Sequence, residues 1–102
     1  MTDCSCRFEH CVCSSLDAAR DVTQNDRRRD YGPPAENHRR TATLWSAYLH
    51  ARGHPAALSP EDVCAFNILQ KMAREMHEHK PDNLTDMIGY VLNWSEVVDS
   101  RK

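Results

Sequence analysis

Prolines and glycines interrupt this chain at three points, and between them the apolar residues recur at helical spacing. The interruptions are Gly32-Pro33-Pro34, Gly53-His54-Pro55 and Lys80-Pro81. Glycine and proline are the strongest local breaks in regular structure. Alternation with period two never extends beyond a few positions, so strands are not expected. The pattern predicts an all-α fold: a small helical bundle of three firm helices with a weaker N-terminal helix.

Capping residues predict where the three firm helices begin and end. The first is predicted over residues 35–52, with Gly53 as the left-handed cap beyond it. The second opens at Ser59-Pro60-Glu61-Asp62, which supplies a cap, a proline at the first helical position and two acids in the first turn. The third is predicted to start around Asp82 or Asn83, because either side chain can cap a helix.

A change in composition near residue 31 divides the chain. Residues 1–30 form a cysteine- and charge-rich N-terminal arm with a weak helix, which is predicted from Ser14 or Ser15 to about Asp30. Residues 31–102 form the helical core domain. A core of this size is marginal alone, and oligomerisation is a common remedy. The last helix is apolar over more than half of its circumference, which also favours a homo-oligomer.

Charge and hydropathy exclude several classes of function. Thirteen basic side chains against 15 acidic ones give a net charge of −2, which makes nucleic acid an unlikely partner. No apolar run approaches the ~20 residues that cross a bilayer, so no membrane association is expected. The N-terminus has no apolar stretch typical of a secretory signal, so a cytoplasmic site of action is expected. The common hydrolase, NTPase and dinucleotide motifs are absent.

Position within each helix predicts which side chains are buried. Leu44 and Tyr48 lie on the apolar face of the first firm helix, and Met72 and Met76 lie on the apolar arc of the second. These residues are expected in the core. Cys64 lies near the polar side of its helix and is expected to be an ordinary thiol. The histidines form no convincing cluster and are expected mostly at the surface.

Four closely spaced cysteines form the first candidate site. Two C-x-C pairs contain Cys4, Cys6, Cys11 and Cys13. Zinc takes four thiolate ligands in a tetrahedron, so these cysteines are candidate zinc ligands. The same residues can instead belong to a disordered tail with free thiols. A redox or disulfide role is a third alternative, which a reducing cytosol disfavours.

Charged side chains on the last two helices form the second candidate site. Asp82 and Asp86 are one helical turn apart and share a face. Carboxylates that converge on a divalent cation, with basic side chains beside them, are what a nucleoside phosphate requires. The predicted ligand-binding residues are Lys71, Arg74, Asp82, Asn83 and Asp86. The candidate magnesium ligands are Glu75, Glu78, Asp82 and Asp86. The ordinary alternative is a set of helix caps and solvated surface charges.

Gly89 adds to this second site. Glycine inside a helix costs about 1 kcal/mol relative to alanine. Its presence there usually marks the close approach of another backbone or of a ligand.

Five sequence stretches carry a resemblance to a known family. They read RDYGPPAEN (29–37), LWSAYL (44–49), LSPEDV (58–63), KMAR (71–74) and DNLTDMIGY (82–90). Together they resemble a family of short proteins encoded by bacteriophages and prophages and catalogued as a domain of unknown function. The resemblance implies a phage or prophage setting, with action in the cytoplasm of the bacterial host.

A more distant likeness is to the all-α NTP pyrophosphohydrolases of the MazG type. Their signature is a Glu-x-x-Glu pair on one helix and a Glu-x-x-Asp pair on the next, which together bind magnesium. Glu75-x-x-Glu78 is similar to the first pair and Asn83-x-x-Asp86 to the second, with Asn83 in place of a carboxylate. This likeness implies an alternative function, a magnesium-dependent nucleotide pyrophosphohydrolase-like enzyme.

Two hypotheses of function follow. The leading one is a non-enzymatic helical module that binds a partner protein or a nucleotide-like ligand, as a homo-oligomer. The alternative is the magnesium-dependent enzyme. Whether the four carboxylates converge is the structural observation that separates them.

Overall fold

Helices make up the regular structure of the described chain. The computed structural model describes residues 12–21 and 27–101, with side chains from residues 16 and 28 onward in the two ranges. The helices are α1 (Val12–Asp21), α2 (Arg27–Tyr31), α3 (Pro34–Ala51), α4 (Pro60–His77) and α5 (Pro81–Asp99). No strand occurs in those ranges. The predicted all-α fold is confirmed, and the three firm helices correspond to α3, α4 and α5.

The N-terminal helical region differs from the prediction. Helix is found in two stretches, α1 and α2, and α1 begins at Val12, before Ser14. The predicted start at a serine cap is therefore wrong.

The ends of α3 and the start of α4 follow the local sequence. Gly53 has φ +82°, and its N–H donates to the His50 carbonyl while the N–H of His54 donates to that of Leu49. This is the left-handed cap predicted there. At the start of α4, the Asp62 N–H donates to Ser59 Oγ at 3.2 Å and the Ser59 N–H donates to Asp62 Oδ2 at 2.8 Å. The predicted cap is thus a complete capping box.

The start of α5 was predicted wrongly. The helix begins at Pro81, after Lys80, and no side chain caps it. Proline suits a first helical position, so the helix starts before either predicted cap. Asp82 is exposed, whereas Asn83 is buried and its Nδ2 donates to Glu75 Oε1 of α4 at 3.1 Å. The Asn83 side chain, which the local sequence predicts as a helix cap, instead makes a hydrogen bond between α5 and α4.

Helices α4 and α5 form an antiparallel hairpin around which the other helices pack. Lys71 pairs with Asp86 in its middle, and Glu61 pairs with Arg101 at its open end. Helices α1 and α3 both pack against α5, and α3 also packs against α4. There the rings of Trp45 and Phe66 stack, with centroids 6.1 Å apart.

The buried core is small, and it includes two residues that were expected elsewhere. Its apolar members are Ala19, Ala42, Val63, Cys64 and Val97. Cys64 is fully buried, because α4 packs against both α3 and α5 and so buries a wider arc than its polarity suggests. Burial, with a smaller contribution from Glu61, raises the pKa of this thiol to about 11. His38 is also buried, which corrects its expected surface position.

Several side chains that were expected in the core are exposed. Leu44 is 69% exposed, Tyr48 65% and Met76 83%, and Met72 is also exposed. The predicted burial of these four is wrong within the described chain, because the neighbouring helices pack on the other sides of α3 and α4. No helix in the described ranges has the length and apolarity needed to cross a membrane.

Candidate ligand-binding site

A cavity of about 280 Å³ lies among α3, α4 and α5. Its volume is close to the lower end of the roughly 300–1,000 Å³ typical of small-molecule sites. Three amide side chains line it, one from each long helix: Asn37, Asn67 and Asn93. Two aromatic rings, Tyr31 and Tyr90, also contribute to the lining. This combination of apolar rings and convergent polar groups is typical of a ligand pocket.

His38 contributes a buried imidazole to the cavity wall. Its Nδ1 lies 2.8 Å from the Pro34 carbonyl oxygen, one turn earlier in α3. A carbonyl oxygen only accepts, so Nδ1 carries the proton and donates, which leaves Nε2 as an acceptor. Burial lowers the pKa of His38, which keeps the ring neutral at pH 7. Nε2 has no hydrogen-bond partner among the described residues.

Asn93 supplies a second acceptor of the same kind. Its Oδ1 is buried and finds no partner in the described part of the chain. Buried polar atoms are nearly always hydrogen-bonded, so two such atoms on residues lining one cavity require an explanation. A donor from a bound ligand or from an ordered water would satisfy both atoms. Both atoms are shielded from solvent, so a ligand reaches them only when neighbouring side chains shift.

Asp86 connects the cavity to the charged surface of α4. It lines the cavity, and its Oδ2 pairs with Lys71 Nζ at 2.8 Å. The side chains of Lys71 and Asp86 are 15% and 31% exposed, so this ion pair is partly shielded from water. Gly89 lies three residues after Asp86 and also lines the cavity. The structure therefore places the sequence-predicted Asp86 and Gly89 at the cavity wall, with Lys71 behind them.

The other predicted ligand-binding residues lie apart from the cavity lining. Arg74 and Asp82 are exposed, and Asn83 is held at the turn between α4 and α5 by Glu75. Glu75 also accepts from the Lys80 N–H at 3.0 Å and pairs with the ring of His79. The contact with His79, followed by the bonds from Lys80 and Asn83, lowers the pKa of Glu75 to about 2. Glu75 thus tethers the turn.

Among the described residues, the structure does not gather the predicted magnesium ligands into one group. Across residues 12–21 and 27–101, no group of three or more His, Cys, Asp or Glu side chains is arranged to hold a metal. Glu78 is exposed, and Glu75 is occupied at the turn. Among the predicted zinc ligands, Cys4, Cys6 and Cys11 lie outside the described residues. Cys13 is described only as part of the backbone of α1. The zinc site stays a prediction.

Sequence reasoning missed His38, Asn67 and Asn93 as site residues. One signal was present: Asp86, Gly89 and Asn93 recur at helical spacing along an otherwise apolar helix. A polar stripe of this kind indicates either a solvated face or a polar cavity. The sequence alone does not distinguish the two, because the cavity forms only when α3 and α4 pack over the stripe.

Comparison with known proteins gives a family and two curated relatives. The family described as Domain of unknown function (DUF6378) matches residues 14–97. The Gene 55 protein of Mycobacterium phage L5 is 42% identical over 78 residues, which cover 76% of this chain and 47% of the relative. The Gene 55 protein of Mycobacterium phage D29 is 36% identical over 78 residues, which cover 76% and 48%.

The chain thus spans about half the length of the curated relatives it matches. No solved structure was found to be similar to it. The family match extends over the cavity-lining residues of α3, α4 and α5.

Proposed function

The chain belongs to the DUF6378 family, as its resemblance to phage proteins predicted, and we propose that it is a non-enzymatic module that binds a nucleotide-like ligand in its cavity. The proposed setting is the cytoplasm of a bacterial host. One observation carries the proposal: the cavity contains two residues with buried, unpartnered acceptors and is bordered by the Lys71–Asp86 ion pair.

The basic side chains of α4 favour a phosphate-bearing ligand over an uncharged one. Lys71 and Arg74 are three residues apart on α4, so they share a face next to Asp86. Arg74 is exposed and has no ion-pair partner among the described residues. A guanidinium group binds phosphate in a bidentate manner. We propose that Arg74 and Lys71 hold the phosphates while the rest of the ligand enters the cavity beside Asp86. Asp82 and Asn83 border the same surface at the start of α5.

Titration calorimetry of the full chain with the common nucleoside mono- and triphosphates tests this proposal. We expect saturable binding of at least one nucleotide, and we expect Arg74→Met to weaken it. Arg52→Met is the matched control, because Arg52 is also exposed but lies at the far end of α3. Equal losses in the two variants would show a non-specific charge effect, and no binding by any nucleotide would refute the proposal.

A second assay distinguishes the enzymatic alternative from the proposed non-enzymatic function. The protein is incubated with NTPs and dNTPs plus magnesium or manganese, and pyrophosphate is measured. We expect no release, since the described carboxylates do not gather into a metal-binding group. Release that Asp86→Ala abolishes would establish the enzyme and overturn the non-enzymatic part of the proposal.

The exposed apolar side chains support the proposed homo-oligomer. Leu69, Met72 and Met76 form an exposed stripe at helical spacing along α4. We propose that a second copy covers this stripe. Sedimentation at high micromolar concentration tests it, and Met76→Glu is expected to shift the protein towards the monomer while Gln70→Glu, a neighbouring exposed position, leaves it associated. A monomeric unmodified protein at that concentration would contradict the proposal.

A further inference from the structure

Two unpartnered acceptors, which belong to residues lining the cavity and lie beneath its surface, restrict the ligand more narrowly than the proposed function does. His38 Nε2 is an acceptor, because its Nδ1 donates to the Pro34 carbonyl. Asn93 Oδ1 is an acceptor as well. On Asp86, Oδ2 is paired with Lys71. The residues that line the cavity therefore include two acceptors without a donor, and a ligand group that bonds to them must present donors.

We infer that the cavity accepts a nucleobase with an exocyclic amino group, read by His38 and Asn93. This inference rests on the proposed function and names the part of the ligand that the cavity selects. An amino group on a planar heterocycle offers two N–H donors at one edge of a flat, neutral ring. His38 is neutral and the charge of Asp86 is balanced by Lys71, so both residues suit an uncharged group. Tyr31 and Tyr90 supply aromatic lining for its faces.

The same acceptors determine the orientation of the ligand. A phosphate placed against His38 Nε2, Asn93 Oδ1 and the Asp86 carboxylate would meet only acceptors there. The phosphate-bearing end therefore points outwards, towards Lys71 and Arg74. The volume of about 280 Å³ is sufficient for a nucleobase.

Matched nucleosides that differ by one amino group test the inference without any change to the protein. The pairs are adenosine with purine riboside, guanosine with inosine, and cytidine with pyrimidin-2-one riboside. Dissociation constants are measured by calorimetry on the full chain. In at least one pair we expect the amino-bearing member to bind roughly 5- to 150-fold more tightly, the range for leaving one buried acceptor without a donor.

Substitution at Asn93 then tests which residue reads the amino group. Asn93→Ala is expected to reduce the preference, because one of the two acceptors is gone while His38 Nε2 remains. Thr43→Ala, at an exposed position on α3, is expected to retain it. Circular dichroism confirms that both variants are helical. An undiminished preference in folded Asn93→Ala would overturn the role of Asn93.

The outcomes separate the two proposals. Nucleotide binding without any preference for the amino-bearing member of a pair would overturn this inference and leave the proposed function standing. Absence of binding by every nucleoside and nucleotide would overturn both.

Discussion

Replacing Asn93 by leucine is expected to stabilise the free protein while it weakens ligand binding. Asn93 Oδ1 is buried and lacks a partner among the described residues. A buried acceptor without a donor costs the free protein its desolvation energy. Leucine has a similar size and no polar atom, so it removes that cost. It also removes an acceptor that the proposed ligand needs, so stability and binding change in opposite directions.

The size of the stabilisation follows from the burial of the residue. An unsatisfied buried polar group costs about 1–3 kcal/mol. Asn93 as a whole is half-buried, so the lower end applies, about 1 kcal/mol. For a domain of this size, 1 kcal/mol corresponds to a rise in Tm of about 4–8 °C.

Thermal unfolding followed by circular dichroism measures the effect, and calorimetry measures binding of the best nucleoside. Asn67→Leu is the matched control: Asn67 lines the same cavity from α4 but has no buried unpartnered atom. We expect its stability to change by less than about 0.5 kcal/mol. A clear loss of stability in Asn93→Leu would mean that Oδ1 is satisfied within the protein. The reasoning that assigns it to a ligand would then fail.

The remaining predictions concern four residues whose environments the structure defines. The pKa of His38 lies below its ordinary 6.5 in the folded state, so the unfolded chain binds the proton more readily, and stability is expected to fall as pH drops below about 6.5. The pKa of Glu75 is lowered from 4.5 to about 2, so its contribution is present above pH 4.5 and lost between pH 4.5 and 2. Urea unfolding at a series of pH values should show both steps in the free energy of unfolding. The step at higher pH should be smaller in His38→Gln, and the step at lower pH should be smaller in Glu75→Gln. A free energy of unfolding that does not change with pH would contradict both assignments. Ser59→Ala removes the capping box of α4 and is expected to cost about 1 kcal/mol in the same assay, whereas an unchanged midpoint would show that the cap is dispensable. Cys64 is fully buried as a thiol of raised pKa and is expected to resist iodoacetamide in the native protein at pH 8, as judged by mass spectrometry. Rapid native labelling at Cys64 would contradict its burial.

The helix ends that could be predicted from the sequence are those whose hydrogen bonds are made by residues only a few positions away. Gly53 ends α3 and Ser59 starts α4 because each terminus is satisfied by groups three to five positions away. The start of α5 could not be predicted in this way. Asn83 has the chemistry of a cap, but a carboxylate eight residues earlier, on the preceding helix, takes its side chain.

The candidate site depended still more on packing. Sequence reasoning singled out Asp86 and Gly89, and the structure places both at the cavity. The importance of His38 could not be inferred, because its burial requires α3 to pack against the α4–α5 hairpin. The exposure of Met76 was missed for the related reason that an apolar stripe does not specify which neighbour covers it.

The central claim is that the cavity among α3, α4 and α5 binds a nucleotide-like ligand. Chemical-shift mapping of the ¹⁵N-labelled full chain, titrated with the nucleotide that binds best in calorimetry, tests it most directly. We expect the largest shifts at the Gly89 amide and at the side-chain amides of Asn67 and Asn93, with smaller ones at Arg74. Shifts confined to the exposed stripe of α4, or none at saturating nucleotide, would contradict the claim.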